Sequence, residues 1–277
     1  MLTDYHVHLR PDDDGTDAAE YFTPANVERY REIAGERGIA ELGCAEHVYR
    51  FAQALDVWQH PLWRHIARDD LDAYVGFLRE ETDLKVGIEA DFVPGREDRM
   101  ATLLDAHGWD FVVGSVHFLG DEAVDHEGFD IWDHRSVSPD AVWRRYFETL
   151  GEAARSGMFD ILAHPDLVKY WGPTRRPQPE GDLRRFYELA MDGIAESRIA
   201  VEVSTAGLRK PVGELYPAEA FLEMCLDAGC PVALSSDAHR PEDIGRDYDV
   251  ALELLERLGV GELAVFSNRE RHLEAIG

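Results

Sequence analysis

The sequence predicts an α/β fold in which a single domain, residues 1–277, forms one barrel of seven β/α units. Short apolar runs alternate with longer amphipathic stretches along the whole chain, as they do where crossover helices join parallel strands. Neither an internal repeat nor a linker interrupts this alternation. The GxGxxG turn of a dinucleotide-binding sheet is missing, and a barrel is favoured over an open doubly wound sheet.

Seven short apolar runs are the predicted strands. Most of them are apolar at nearly every position, which is typical of parallel strands that helices cover on both faces. In chain order the strands are predicted at residues 2–6, 40–45, 85–90, 111–116, 159–163, 200–204 and 232–235.

Prolines and glycines mark the ends of the predicted helices. Proline is favoured at the first helical position and glycine directly after the last one. On this basis helices begin at Thr23-Pro24, Ser138-Pro139 and Tyr216-Pro217 and end near Gly38, Gly157 and Gly229, and a last helix spans about 247–258.

The composition excludes several classes of protein. The 55 acidic residues outnumber the 28 basic ones and leave a net charge of −27, which argues against a nucleic-acid partner. No run approaches the roughly 18 apolar residues of a membrane span, and the first residues lack the apolar core of a signal peptide. We therefore expect a cytoplasmic protein with no membrane partner, as a monomer or small homo-oligomer. Cys44, Cys225 and Cys230 lack CxxC spacing and are expected to fill small apolar spaces.

Residue types that bind metals follow six of the seven predicted strands. In a β/α barrel the C-terminal ends of the strands lie on one face, where active sites form. Residues that are far apart in the sequence therefore converge there. They are His6 and His8, Glu46 and His47, Glu89 and Asp91, His117, His164, and Asp237 and His239.

Neutral imidazoles and a few carboxylates suit zinc, manganese or iron, and one carboxylate can bridge two ions. The rings of His6 and His8 point to the same side of an extended chain, as a chelating pair requires. An HxH or DxH pair alone is a weak signal, and the shared face at the strand ends is what favours a metal site. The other histidines are expected at the surface or in packing: His60, His65, His107, His126, His134 and His272.

Several segments, in chain order, carry a family resemblance: DYHVHL, CAEH, KVGIEADFVPG, DFVVGSVHFL, FDILAHPDL, EVSTAGLRKPVGELYP and PVALSSDAHRPEDIG. They resemble the successive motifs of the PHP phosphoesterase superfamily, and most closely those of its histidinol-phosphate phosphatase branch. GSVHF, GIEADF, GLRKPVGE and SSDAH together are specific to that branch. The resemblance runs through nearly the whole chain.

The resemblance implies a distorted seven-stranded (β/α)7 barrel similar to a TIM barrel, with three divalent transition-metal ions (zinc, manganese or iron). The implied ligands are His6, His8, Glu89 and Asp237 for the first ion, Glu89, His117 and His164 for the second, and His47 and His239 for the third. Relatives often carry a further histidine before a glycine; here that place is Asp14, before Gly15, and Asp12 and Asp13 are alternatives for the same ligand.

The implied activity is hydrolysis of a small phosphate monoester, L-histidinol phosphate, to L-histidinol and phosphate in histidine biosynthesis, by a hydroxide that bridges metal ions. Bound cations neutralise phosphoryl oxygens and lower the pKa of water from about 15.7 towards roughly 7. Glu89, Asp237 and His239 are the implied catalytic residues, and Lys169 and Arg209 occupy basic positions suited to gripping phosphate. The alternatives are another phosphomonoester, such as phosphotyrosine or a nucleotide, or a metal-binding module without catalysis.

Overall fold

A parallel sheet whose strands are joined by helices forms the centre of the protein, for which a computed structural model describes residues 1–13, 15–133 and 137–277. The strands are β1 (Leu2–Val7), β2 (Ile39–Cys44), β3 (Lys85–Asp91), β4 (Phe111–Ser115), β5 (Phe118–Leu119), β6 (Glu122–Ala123), β7 (Ile161–Leu162), β8 (Ala200–Ser204), β9 (Val232–Ser235), β10 (Glu262–Ser267) and β11 (Glu270–Ala275). In this part of the chain, seven strands pair in the order β1-β2-β3-β4-β7-β8-β9, while β5–β6 and β10–β11 form separate two-stranded sheets.

The main sheet curls into a nearly closed barrel, and the fold class predicted from the sequence is confirmed. Its first and last strands meet through the chain that follows β9. The backbone N–H of His8 donates to the carbonyl oxygen of Ala238 at 2.8 Å, and that of Ser236 donates to the carboxylate of Asp4 at 2.9 Å. All seven predicted strands are present, although β7 is shorter than the predicted run at 159–163.

An antiparallel hairpin covers the N-terminal end of the barrel, and the sequence analysis did not predict it. Phe266 of β10 packs on Tyr5, with ring centroids 6.0 Å apart, and Tyr5 in turn packs on Phe111 at 5.1 Å. The hairpin turn is held by Arg269, whose guanidinium donates to the carboxylate of Asp160 at 2.8 Å. The metal-binding residue types lie at the opposite end of the strands.

Helices surround the barrel. They are α1 (Ala18–Tyr21), α2 (Pro24–Glu36), α3 (Pro61–Ile66), α4 (Leu71–Glu81), α5 (Glu97–Asp105), α6 (Pro139–Arg155), α7 (Gly172–Arg175), α8 (Arg184–Ser197), α9 (Glu219–Asp227) and α10 (Tyr248–Arg257). Proline stands first in α2 and α6 as predicted, whereas α9 begins at Glu219 rather than at Pro217. No helix within the described ranges combines the length and hydropathy that a membrane crossing requires.

Candidate metal centre

The structure brings the predicted ligands together at the C-terminal ends of the barrel strands. Within the described residues they form three groups, and in each group the ligand atoms all lie within 4.8 Å of one another. The groups are His6, His8 and Asp237; His6, Glu89 and His164; and His8, His47 and His239.

The first group is built on β1 and on the loop after β9. Nε2 of His8 lies 3.4 Å from Oδ1 of Asp237, and Nε2 of His6 lies 3.9 Å from the same oxygen. Both rings come from the HxH pair, which sets them side by side on one face of the chain. Atoms at these separations leave room for a central ion that lies about 2 Å from each of them.

Glu89 faces imidazoles with both of its oxygens. Its Oε1 lies 3.4 Å from Nε2 of His117 and 3.2 Å from Nε2 of His164. Its Oε2 lies 3.3 Å from Nε2 of His6 and 3.6 Å from Nε2 of His8. Each oxygen of this buried carboxylate thus faces a different set of imidazoles. A carboxylate in this position is suited to bridge two ions.

The third group places a carboxylate beside His47 and His239, and that carboxylate belongs to Asp12. The Nε2 atoms of the two histidines are 3.4 Å apart, and Asp12 Oδ2 lies 3.0 Å from that of His239. Arg50, which is buried, forms an ion pair with Asp12 and another with Glu46. Asp14, the ligand predicted from the sequence, lies outside the described residues.

Two of the predicted ligands have unusual backbone conformations. His164 has φ +23° and Asp237 has φ +50°, in the left-handed region that residues other than glycine rarely adopt. Such conformations cost on the order of 1–3 kcal/mol each and persist where the surroundings impose them, most often at functional sites. The backbone therefore presents these two side chains at an energetic cost.

Burial and neighbouring charges set the ionisation of the cluster. Burial by itself raises the pKa of Glu89, but the imidazoles of His47 and His6 outweigh it and hold that pKa well below its ordinary value. Burial lowers the pKa of His47 to about 3, so its ring is neutral at pH 7. Burial also opposes protonation of His117, yet Asp91 and Glu89 raise its pKa to about 10. An ion that binds His117 must therefore displace a proton.

The buried polar atoms of this cluster fit divalent cations. Nε2 of His6, both ring nitrogens of His8, Oε2 of Glu89 and Oδ1 of Asp237 have no hydrogen-bond partner in the described part of the chain. Buried polar groups are almost always paired, because an unpaired one costs about 1–3 kcal/mol. Lone pairs that face one another in a set of imidazoles and carboxylates are satisfied by a zinc-like ion.

A cavity of about 980 Å³ opens beside the cluster. Its lining includes Asp12 and His117 from the cluster, and also Tyr49, Asp125 and Lys210. The ammonium group of Lys210 lies 5.7 Å from the centre of the Tyr170 ring, which borders the same cavity. The cavity thus contains a cation beside the predicted ligands.

The two basic residues predicted to grip phosphate have partners within the protein. Lys169 is 5% exposed; its Nζ donates to the carbonyl oxygen of Leu215 at 2.8 Å and pairs with Asp166 at 2.9 Å and Glu214 at 3.2 Å. Arg209 donates to the carbonyl oxygen of Ser236 at 2.6 Å. The contacts of Lys169 favour a structural role, whereas Arg209 lies directly beside the loop that carries Asp237.

Most of the remaining histidines lie in packing or surface positions. His60 is buried against Trp58 and Phe118, and His107 pairs with Asp72 at 3.6 Å. His65 and His126 line the cavity, His272 is exposed on β11, and His134 lies outside the described residues.

Carboxylates also lie behind the ligands: Asp91 was among the metal-binding residue types named from the sequence, whereas Glu202 had no predicted role. Asp91 accepts a hydrogen bond from Nδ1 of His117 at 2.8 Å, and Glu202 accepts one from Nδ1 of His6 at 2.8 Å. Glu202 carried a signal in the sequence, because it is the single charged residue of β8, whose other residues are apolar except Ser204. Asp12 was one of three alternatives for the third-site ligand, because it stands among three consecutive aspartates before Gly15.

Comparison with known proteins identifies histidinol-phosphatases among the proteins similar to this chain. The PHP domain family matches residues 13–206 of the chain. A probable histidinol-phosphatase of Deinococcus radiodurans is 31% identical over 248 residues, which cover 87% of this chain and 90% of that protein. The histidinol-phosphatase of Bacillus subtilis is 26% identical over 63% of this chain and 70% of that protein.

A solved structure has the same fold. The histidinol phosphate phosphatase of Lactococcus lactis, crystallised with zinc, L-histidinol and phosphate, superimposes with a TM-score of 0.71 at 19% identity. The match covers 98% of each chain, so the similarity includes the whole barrel.

Proposed function

Because the chain belongs to the PHP domain family, we propose that it is a metal-dependent phosphatase that hydrolyses L-histidinol phosphate to L-histidinol and phosphate. The observation that carries the proposal is the cluster of imidazoles and carboxylates around Glu89, beside a cavity that is lined by His117 and is large enough for a small metabolite. The similarity to the histidinol-phosphatase of D. radiodurans extends over nearly its full length and supports this substrate.

The ligand groups support three divalent transition-metal ions, with zinc as the first candidate because the related L. lactis enzyme binds it. When bound, such ions neutralise phosphoryl oxygens and acidify a water molecule for attack. We assign them to His6, His8, Glu89 and Asp237, to Glu89, His117 and His164, and to His47, His239 and Asp12, with Asp14 as the further ligand predicted from the sequence.

The catalytic roles of Glu89, Asp237 and His239 follow from their positions. Glu89 joins the first two ligand groups and fixes their separation. Oδ1 of Asp237 faces Nε2 of His6 and Nε2 of His8, so it would hold the first ion beside the place of the attacking water. His239 presents its ring to Asp12 and His47, and its Nδ1 lies 3.5 Å from Oδ1 of Asp237, so it joins the third group to the first.

Lys210 is the cation best placed for the phosphate group, because it lines the cavity beside the cluster. An ammonium group binds phosphate as a point charge. Arg209 is a second candidate, since its guanidinium lies next to Ser236 and hence to Asp237. Lys169 was assigned the same role from the sequence, but its three hydrogen-bond donors are used by Leu215, Asp166 and Glu214.

The cavity also offers groups for the organic part of the substrate. Phe118 and Phe129 line it and provide flat faces for an imidazole ring. The carboxylate of Asp125 lines it too, close enough to His117 and Lys210 to favour their charged forms. We assign Asp125 to the ammonium group of histidinol phosphate.

The test is phosphate release from L-histidinol phosphate, phosphotyrosine and nucleoside monophosphates, by metal-free protein reloaded with zinc, manganese or iron. We expect turnover of L-histidinol phosphate at least 100-fold above that of the other esters, and only with a metal. Preference for phosphotyrosine or a nucleotide would contradict the proposed substrate, and absence of turnover with every metal would contradict the enzyme.

A further inference from the structure

A buried carboxylate stands in the middle of β8. Glu202 is 1% exposed and lies between Val201 and Val203, which are also buried. An ionised carboxylate away from water is costly unless it is paired or hydrogen-bonded. The donors that satisfy Glu202 therefore indicate its role.

Three donors bind this carboxylate, and two of them belong to proposed metal ligands. Oε1 accepts from Nδ1 of His6 at 2.8 Å and from the hydroxyl of Ser235 at 2.7 Å. Oε2 accepts from the backbone N–H of His164 at 2.6 Å. One side chain thus joins β1, the loop after β7, and β9.

The contact with Glu202 fixes the tautomer of His6. An ionised carboxylate only accepts hydrogen bonds, so Nδ1 of His6 carries the proton and Nε2 keeps its lone pair. That lone pair lies on the side of the cluster, 3.3 Å from Oε2 of Glu89. A hydrogen bond of this kind orients a metal-binding histidine and makes it a stronger ligand.

The contact with His164 acts on the backbone instead. His164 has φ +23°, which an ordinary side chain adopts only when its surroundings hold it there. The hydrogen bond from its N–H to Glu202 is one of those constraints. With the backbone in this conformation, Nε2 of His164 lies 3.2 Å from Oε1 of Glu89.

We propose that Glu202 is a positioning residue that sets His6 and His164 against the two oxygens of Glu89, and so holds one ligand of each ion of the Glu89-bridged pair. The inference rests on the proposed metal-dependent function. The other carboxylates behind the centre each lie against the ring of one proposed ligand. Asp91 binds the ring of His117 at 2.8 Å, and Glu46 lies 3.8 Å from the ring of His8.

The variant Glu202→Gln tests the proposal, because an amide of the same size cannot accept from both His6 and His164. Metal-free protein is titrated with zinc in competition with a chromogenic chelator. We expect two of the three zinc ions to bind about 10- to 100-fold more weakly, and the ion at His47 and His239 to bind as in the wild type. The matched control is Ser235→Ala, which removes the one donor that belongs to no ligand and should leave zinc binding unchanged.

Wild-type zinc affinity in Glu202→Gln would overturn the proposal, even with a lower melting temperature of the metal-free variant. Equal weakening in Ser235→Ala would overturn it as well. If Glu202→Gln does not fold, ¹⁵N NMR of the zinc-loaded wild type decides: a proton on Nδ1 of His6 supports the proposal and a proton on Nε2 overturns it. Zinc binding needs no substrate, so a wild type that binds zinc but does not hydrolyse L-histidinol phosphate contradicts the proposed function alone.

Discussion

At the scale of single residues, Glu89 is the side chain on which most of the centre depends, since its two oxygens face five histidines. We predict that Glu89→Gln loses at least two ions and nearly all turnover. An amide carries no charge and has only one accepting oxygen, so it cannot bridge two cations. Elemental analysis of the purified variant measures the ions, with circular dichroism as the control for folding. A wild-type metal content would contradict the bridging role.

Asp12 and Asp14 are alternative candidates for the carboxylate ligand of the third ion. Asp12 lies 3.0 Å from His239 and is also held by Arg50, so we predict that Asp12→Ala loses the third ion and keeps the Glu89-bridged pair. Metal titration of Asp12→Ala and Asp14→Ala, with anomalous scattering from crystals of each, tells them apart. Loss of the ion in Asp14→Ala alone would assign the ligand to Asp14, and retention in both would leave the site to the histidines, water or substrate.

Two lysines near the centre are predicted to respond differently to the same change. Lys210→Met should raise the KM for substrate and weaken inhibition by phosphate at least 10-fold, with an unchanged melting temperature, because Lys210 lines the cavity. Lys169→Met should instead destabilise the fold by about 3–5 kcal/mol, because it leaves the buried carboxylate of Asp166 without its cationic partner. Phosphate inhibition and thermal unfolding of both variants are the measurements. The reverse pattern would assign the phosphate-binding role to Lys169 instead of Lys210.

The difference between these residues shows what the sequence can predict at this scale. His6, His8, Glu89, His117 and His164 lie at or shortly after the C-terminal ends of strands, and in a barrel these ends converge on one face whichever loops join them. Lys169, Lys210 and Asp12 lie in loops, where neighbours depend on how the chain folds back, and no local pattern encodes that.

At the scale of elements, α6 and α8 touch through glycines. A methyl group on Gly193 would lie 2.1 Å from the carbonyl oxygen of Gly151, so the two helix backbones are in direct contact. We predict that Gly193→Ala lowers stability by about 1–3 kcal/mol, because neither backbone can yield without separating the helices. Denaturant unfolding measures this change.

Gly76 in α4 is the matched control, since a methyl group there would meet nothing within 4 Å. Gly76→Ala should stabilise the protein by about 0.4–1 kcal/mol, because alanine loses less conformational entropy in a helix. Equal effects of the two substitutions would refute the close approach of α6 and α8.

The elements that the sequence predicts are those with a repeated local signal. Buried parallel strands are continuous apolar runs, and the prolines at the first positions of α2 and α6 mark helix starts. In the hairpin, β10 carries a short buried apolar run at 263–266 that was not predicted as a strand. All six residues of β11 are exposed and three of them, Glu270, Arg271 and Glu274, are charged, so β11 has no such signal. Its position is set by contacts distant in sequence, such as that of Arg269 with Asp160.

At the scale of the whole molecule, the charge balance makes stability depend on the ions. The chain carries a net charge of −27, and the centre adds buried lone pairs that only cations satisfy. Repulsion among like charges weakens a compact state. Three divalent ions would reduce the net charge and remove the unpaired atoms at the same time.

We therefore predict that chelation lowers the melting temperature and that zinc restores it. At free zinc about 1,000-fold above the dissociation constant, one site contributes about 4 kcal/mol, or roughly 8–16 °C for a protein near this size. Added salt should raise the melting temperature of the metal-free protein more than that of the loaded one, because screening acts on the excess negative charge. Glu89→Gln provides the control, since without the bridged pair its melting temperature should respond less to chelation. Differential scanning calorimetry with and without chelator measures all of these shifts. If chelation changes the melting temperature of the wild type and of Glu89→Gln equally, the stabilising ions bind at sites other than the Glu89 cluster.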